Sequence, residues 1–265
     1  MKKFAVFLCV FLCYYKSFTQ TISRIETVQS LYIEVYRNTT FLGKATGFLI
    51  RSKTRNYLVT NYHVVTNKKP TDFTWLDSNI TISPNRIAIA HNAKTLGNFI
   101  VKYENLIAPN GDTLYHHTKI GVEMVDVIEL PLTDTSDIAV YPVSYINTTD
   151  SLVVAPTDRV FIPGFPLGFR SISFFPIWKS GFIASEPDLD QENKPIIWLN
   201  DVPFPGMSGS PVYLITKDLT FKNGSSVNLV GQPQVFFMGV FAHGTPVYGA
   251  LWKGNFLKKI FESLP

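Results

Sequence analysis

Pro205-Gly206-Met207-Ser208-Gly209-Ser210-Pro211 sits immediately ahead of the apolar run Val212-Tyr213-Leu214-Ile215. Two glycines flanking a serine let the backbone turn sharply, because glycine adopts φ values that other residues avoid. Such a turn pushes one hydroxyl outward and aims its own backbone N–H groups at whatever approaches that hydroxyl. That is what a nucleophile with a ready-made oxyanion pocket needs. The same residues also suit an ordinary Gly/Ser/Pro loop ahead of a strand, so their meaning depends on what lies upstream.

Outward from this turn the chain is a succession of short apolar pieces. Leu31 to Tyr36 and Phe41 to Ile50 are rich in aromatic and β-branched residues, and the polar stretch Arg37-Asn38-Thr39-Thr40 between them suits a hairpin. Tyr57-Leu58-Val59-Thr60 reads as a third strand and runs into Asn61-Tyr62-His63-Val64-Val65. Residues 67–118 read as strands with an enlarged surface excursion, and strand character resumes over 120–128. Past a polar, turn-forming boundary near 145–157, further short pieces follow, Ser171-Ile172-Ser173-Phe174-Phe175 among them. Only 254–264 reads as helix, with Phe256, Leu257, Ile260 and Phe261 on one stripe. Many short strands, Gly/Pro punctuation and little helix predict an all-β barrel or sandwich. The expected division is 20–150 and 151–265.

The first residues read differently. Lys2 and Lys3 precede an apolar run from Phe4 to Tyr15 and then a short polar stretch, the order of a secretory signal peptide over residues 1–19. The run is shorter than the roughly 20 residues of a spanning helix. Removing it takes three lysines and no acids, so the formal charge falls from +4 to +1. The basic pI therefore belongs largely to the leader and does not argue for nucleic acid. Cys9 and Cys13 leave with it. An exported chain without cysteine has to rely on a packed core, which fits a bacterial envelope or secreted enzyme better than a disulfide-stapled domain.

Three residues then stand out in one order. His63 ends a β-rich run, Asp137 opens another, and Ser208 occupies the glycine turn. A serine hydroxyl is a weak nucleophile and needs a base in hydrogen-bond contact. An imidazole suits that role near neutral pH, and a buried carboxylate fixes its tautomer. Each residue also has an ordinary reading: a half-buried histidine, an aspartate capping a turn, a serine filling one.

Taken together, residues 28–258 resemble the trypsin-like, chymotrypsin-fold serine peptidases, especially their disulfide-poor bacterial branch. The resemblance rests on Ala45-Thr46-Gly47-Phe48-Leu49-Ile50, Leu58-Val59-Thr60-Asn61-Tyr62-His63-Val64-Val65 and Ser136-Asp137-Ile138-Ala139-Val140. Gly164-Phe165-Pro166-Leu167-Gly168, Gly206-Met207-Ser208-Gly209-Ser210-Pro211 and Gly239-Val240-Phe241-Ala242-His243-Gly244 complete it. It implies two perpendicular six-stranded barrels with the active site between them. It also implies His63 as general base, Asp137 as its orienter, Ser208 as nucleophile, and the N–H groups of Gly206 and Ser208 as oxyanion donors. Met207 stands where zymogen members carry an aspartate, so no switch of that kind is expected.

By the same resemblance the pocket for the residue ahead of the cut (P1) would be walled by Val202 to Pro205, Phe241, His243, Gly244 and Tyr248. Val202 occupies the position of the acid in trypsin-like enzymes, which disfavours cleavage after Lys or Arg and favours apolar or small P1 residues. His243 suggests glutamate specificity, but it falls two positions beyond the histidine of glutamate-specific relatives, with Phe241 in that place. A triad needs no cofactor, and the remaining histidines (His91, His116, His117) have no metal-ligand spacing. The expected partners are polypeptide substrates, with no nucleic acid, no membrane contact beyond the export signal, and a monomeric state. The alternative reading is an inactive binding protein on the same fold.

Overall fold

A computed structural model describes residues 21–265 apart from 202, 243 and 246, so the predicted signal peptide lies outside the described residues. After a short helix, α1 (Glu26–Gln29), come β1 (Ser30–Arg37), β2 (Thr40–Arg51), β3 (Asn56–Thr60), the one-turn helix α2 (Tyr62–Thr66), β4 (Arg86–Asn92), β5 (Phe99–Asn105), β6 (His116–Ile120) and β7 (Glu123–Pro131). The second half carries β8 (Arg159–Gly164), β9 (Ile177–Phe182), β10 (Ile196–Leu199), β11 (Pro211–Thr216), β12 (Asp218–Thr220), β13 (Ser226–Asn228), β14 (Gln234–Ala242), β15 (Gly249–Lys253) and α3 (Gly254–Ser263).

The first sheet has seven strands in the order β5-β4-β1-β2-β3-β7-β6, and the second has six in the order β10-β15-β14-β11-β8-β9. The expected six strands are therefore found in the second sheet, beside which β12 and β13 pair as a separate two-stranded ribbon, and not in the first. In the first, β6 folds back on β7 and adds an edge strand. The second sheet curls closed where Ile183 bridges Leu199, with Ala184 N–H donating to Trp198 O and Asn200 N–H to Phe182 O, both at 2.8 Å. Such closure removes the exposed edges that β-rich chains otherwise have to protect.

Three apolar clusters explain why the chain reads as β throughout. Leu31, Ile33, Val35, Leu58, Ile87 and Ile89 fill the first half, and Val160, Ile162, Leu199, Val212 and Leu251 fill the second. A third cluster joins the halves: Phe48, Ile50, Tyr57 and Val127 meet Tyr213, Phe237, Val240 and Trp252, with Leu257 and Phe261 of α3 closing over them. The Phe48 and Phe237 rings meet edge-on at 5.8 Å. Strands such as β2 and β14 thus lose their polar face, because one side packs inside a sheet and the other against the opposite half. The apolar stripe of α3 is present, with Leu257 and Phe261 fully buried and Phe256 and Ile260 at its margin.

Two local expectations change. Residues 171–175 form no strand; Ser173 has φ 59°, and Phe174 turns back onto the rings of Tyr32 and Phe99. No strand follows Asp137 either, Ile138 making only an isolated bridge to Ala93. Within 67–118, β4 and β5 belong to the sheet, and the enlarged part is the loop over 67–85.

Glu129 on β7 is 1% exposed, paired in register with Val59 and His116, and its Oε2 meets no hydrogen-bond partner among the described residues. Burial pushes its carboxyl up to about 8. The native form therefore holds a proton that the unfolded chain releases near pH 4.3. The associated stability is fully present below that lower value and is lost as pH rises through about 8. Thermal melts from pH 5 to 9 should show Tm falling across this range, and Glu129→Gln should flatten the fall. Parallel curves for the two proteins would contradict a neutral Glu129.

Candidate active site

His63 lies in the first turn of α2, which follows β3 after the single residue Asn61. Asn61 at its start is extended (φ −83°, ψ 150°), and Asn67 at its end is left-handed, with its N–H returned to His63 O at 2.9 Å. This single turn rotates the imidazole toward the seam between the halves. There His63 Nδ1 lies 2.7 Å from Asp126 Oδ2, and His63 Nε2 lies 2.9 Å from Ser208 Oγ. The other carboxylate oxygen, Asp126 Oδ1, accepts the backbone N–H of His63 at 2.9 Å. Asn61 Nδ2 donates to the Asp126 carbonyl. The side chains of His63 and Asp126 are only 9% and 6% exposed.

The carboxylate beside His63 is therefore Asp126, and the assignment of Asp137 is corrected. Asp137 lies on an exposed loop, with its side chain 52% accessible, and pairs with Lys102, which also holds Asp134 at 2.8 Å. Lys102 draws the Asp137 carboxyl below its usual range. Ser136-Asp137-Ile138-Ala139-Val140 resembles a family motif, whereas Asp126 is embedded in the apolar strand Met124-Val125-Asp126-Val127-Ile128. A signal was nonetheless available there. An acid inside a buried strand has to be paired, since an isolated buried charge is prohibitively costly.

The serine turn is open toward the cleft. Gly206 has φ +94° and Gly209 φ +85°, both left-handed values that favour glycine. A Cβ on Gly206 would lie 2.2 Å from Phe165 O. Each carbonyl across the turn is tied down: Leu167 N–H donates to Pro205 O at 2.6 Å, and Ser210 N–H and Oγ donate to Met207 O at 3.0 and 2.6 Å. Gly209 N–H donates to Phe241 O at 2.9 Å. No acceptor among the described residues meets the N–H of Gly206 or Ser208, so both remain available to a ligand oxygen. Met207 is fully buried.

A cleft of about 430 Å³ borders His63 and Ser208. Leu42 and Lys44 of β2, Leu76 and Pro84 of the enlarged loop, and Phe204 and Phe241 of the second half are part of its lining. Phe241 is 1% exposed, and its ring occupies the space beside Gly249, where a Cβ would come within 2.3 Å of Cε2. Gly244 packs on the Tyr248 carbonyl. Val202 and His243 fall outside the described residues, so the predicted specificity pocket is drawn only in part. Beside it, Asp201 is held by Lys179 at 2.6 Å, and the Lys179 ammonium lies 4.5 Å from the centre of the Phe204 ring. Among the described residues no group of three or more His, Cys, Asp or Glu is placed to hold a metal ion.

A model of the trypsin-like peptidase domain matches residues 45–219. No curated sequence matches the chain. Among solved structures, a serine endoprotease from Yersinia pestis aligns with TM-score 0.49 at 13% identity over 92% of this chain and 67% of that one. The inactivated protease paralogue S-I1 of the scabies mite aligns with TM-score 0.49 at 13% identity, over 90% and 96% of the two chains. The human heparin binding protein gives 0.49 at 12%, over 91% and 93%.

Proposed function

We propose that this chain, which belongs to the trypsin-like peptidase family, is an exported serine endopeptidase that cleaves polypeptides through an acyl-enzyme. The observation that carries the reading is the placement of His63 between Asp126 and Ser208, at 2.7 and 2.9 Å. With Asp126 ionised, Nδ1 keeps its proton and donates it to the carboxylate, leaving the Nε2 lone pair to accept from the serine hydroxyl. As Ser208 Oγ attacks a peptide carbonyl carbon, Nε2 takes the hydroxyl proton and the carbonyl oxygen becomes an oxyanion between the N–H groups of Gly206 and Ser208. The imidazolium then passes that proton to the leaving amine nitrogen. Water repeats the sequence on the ester, returning Ser208 and releasing the new carboxylic acid.

The apolar lining by Phe241 and Phe204 supports a preference for apolar or small residues at P1. The ring of Phe241 fills the space beside Gly249 and adds to this apolar surface. Asp201, the described acid nearest this region in sequence, is already engaged by Lys179, which argues against cleavage after Lys or Arg. Export rests on the order of residues 1–19 and on a mature chain without cysteine.

An inactive binding protein on the same fold is the competing reading, and the intact relay at Ser208 weighs against it. A fluorophosphonate probe decides between them. The folded wild type should be labelled at one site, and Ser208→Ala should abolish the labelling. An unlabelled wild type, or a Ser208→Ala protein labelled equally, would overturn the peptidase reading.

A further inference from the structure

A peptide N–H is aimed by the carbonyl ahead of it, because the two lie in one rigid plane. The Gly206 N–H shares its plane with the Pro205 carbonyl, and the Ser208 N–H shares its plane with that of Met207. Both carbonyls are anchored from within the second half, by Leu167 and Ser210. The plane between them carries the Gly206 carbonyl and the Met207 N–H; the N–H donates to Phe204 O at 3.1 Å within the second half, whereas the carbonyl is anchored from the other half of the molecule. Thr46 Oγ1, on β2, donates to Gly206 O at 2.8 Å and accepts the Phe165 N–H at 3.1 Å. The Thr46 backbone N–H also donates to Ser208 O at 2.9 Å, and its carbonyl accepts Thr60 Oγ1 at 2.9 Å.

The surroundings are shaped to admit this residue. Thr46 is 0% exposed. A Cβ on Gly209 would stand 2.1 Å from Thr46 O, and one on Gly164 would stand 3.0 Å from Thr46 Oγ1. Met207, buried at the centre of the turn, brings no charge that could anchor it.

We propose that the Thr46 hydroxyl is the positioning group that holds the serine turn with both oxyanion N–H groups facing the cleft. It touches no substrate and acts through Gly206. Without the hydroxyl, Gly206 O and Phe165 N–H lose their partner in a dry interface. The middle plane, then held only by the Met207 N–H on Phe204 O, can tilt its carbonyl toward water and pull the two flanking planes out of line. The methyl group of Thr46 has no part in this, so a serine should suffice and an isosteric valine should not. The inference rests on the peptidase reading.

The test compares Thr46→Val and Thr46→Ser with wild type in peptide hydrolysis, in binding of a peptide boronate that mimics the tetrahedral adduct, and in thermal unfolding. Thr46→Val should lower kcat by about 10- to 100-fold and weaken the boronate similarly, with KM within about twofold, because the lost interaction belongs to the transition state. Thr46→Ser should keep kcat within about threefold of wild type. A Thr46→Val enzyme with wild-type kcat and boronate affinity overturns the role. So does a folded Thr46→Ser enzyme as slow as the valine variant, and this arm stands even if Thr46→Val fails to fold. A wild type that neither cleaves nor takes fluorophosphonate overturns the peptidase reading itself, before any Thr46 variant is compared.

Discussion

Asp126→Asn should lower kcat by about 10⁴-fold, while Asp137→Asn should leave it within about twofold of wild type. The asymmetry follows from what each carboxylate touches. Asp126 accepts two hydrogen bonds from one residue, the backbone N–H and Nδ1 of His63. An asparagine can keep the first of these through its amide oxygen, which turns its NH₂ group toward Nδ1. The imidazole then has to accept at Nδ1 and carry its proton on Nε2, where it can no longer receive the one from Ser208. The fold survives and the base is lost. Asp137 and Asp134 are exposed carboxylates sharing Lys102, and ion pairs of that kind contribute little. Steady-state kinetics of both variants, each with an unfolding curve to establish that it is folded, check this pair. Comparable losses in the two would return the orienting role to Asp137.

Gly206→Ala should lower kcat by about 10²- to 10³-fold, the loss expected when an oxyanion donor is displaced. A Cβ there would meet the Phe165 carbonyl at 2.2 Å, and that backbone is fixed at the end of β8. The φ of +94° adds strain for any L-residue. The turn has to move, and the first group to leave its place is the Gly206 N–H. Gly224 supplies the control, since its φ of +86° is similar but a Cβ there would meet nothing within 4 Å. Gly224→Ala should therefore cost about 1–2 kcal/mol of stability through backbone strain alone and leave kcat unchanged. If both alanine variants kept full kcat, the Gly206 N–H would have no part in stabilising the oxyanion.

The sequence was informative wherever chemistry leaves a local trace. The serine turn is legible because φ values near +90° at Gly206 and Gly209 restrict the residue type, so glycine appears on both sides of Ser208. The β-rich character is legible because strands buried on both faces lose their polar alternation. His63 is legible from its position just after a strand. Asp126 left no such trace, because a partner 63 residues distant makes an interior acid acceptable and the local pattern is otherwise a plain apolar strand. Asp137 attracted the assignment through a short motif whose neighbours matched while its location did not. In the sequence Thr46 is only part of a β-strand motif; its hydroxyl contacts Gly206, 160 residues away, and no local rule reports a contact at that range.

The third apolar cluster, between the halves, has a consequence for how the enzyme works as a whole. His63 and Asp126 belong to the first sheet's half, and Ser208 belongs to the second. The 2.9 Å contact from Nε2 to Oγ therefore measures how the halves are aligned. A shift of one half against the other by an ångström stretches that contact beyond hydrogen-bonding range while leaving either half internally intact. On the proposed mechanism, turnover serves as a gauge of the packing of Phe48 on Phe237 and of α3 across the joint. Substitutions far from the cleft can silence the enzyme there without unfolding it.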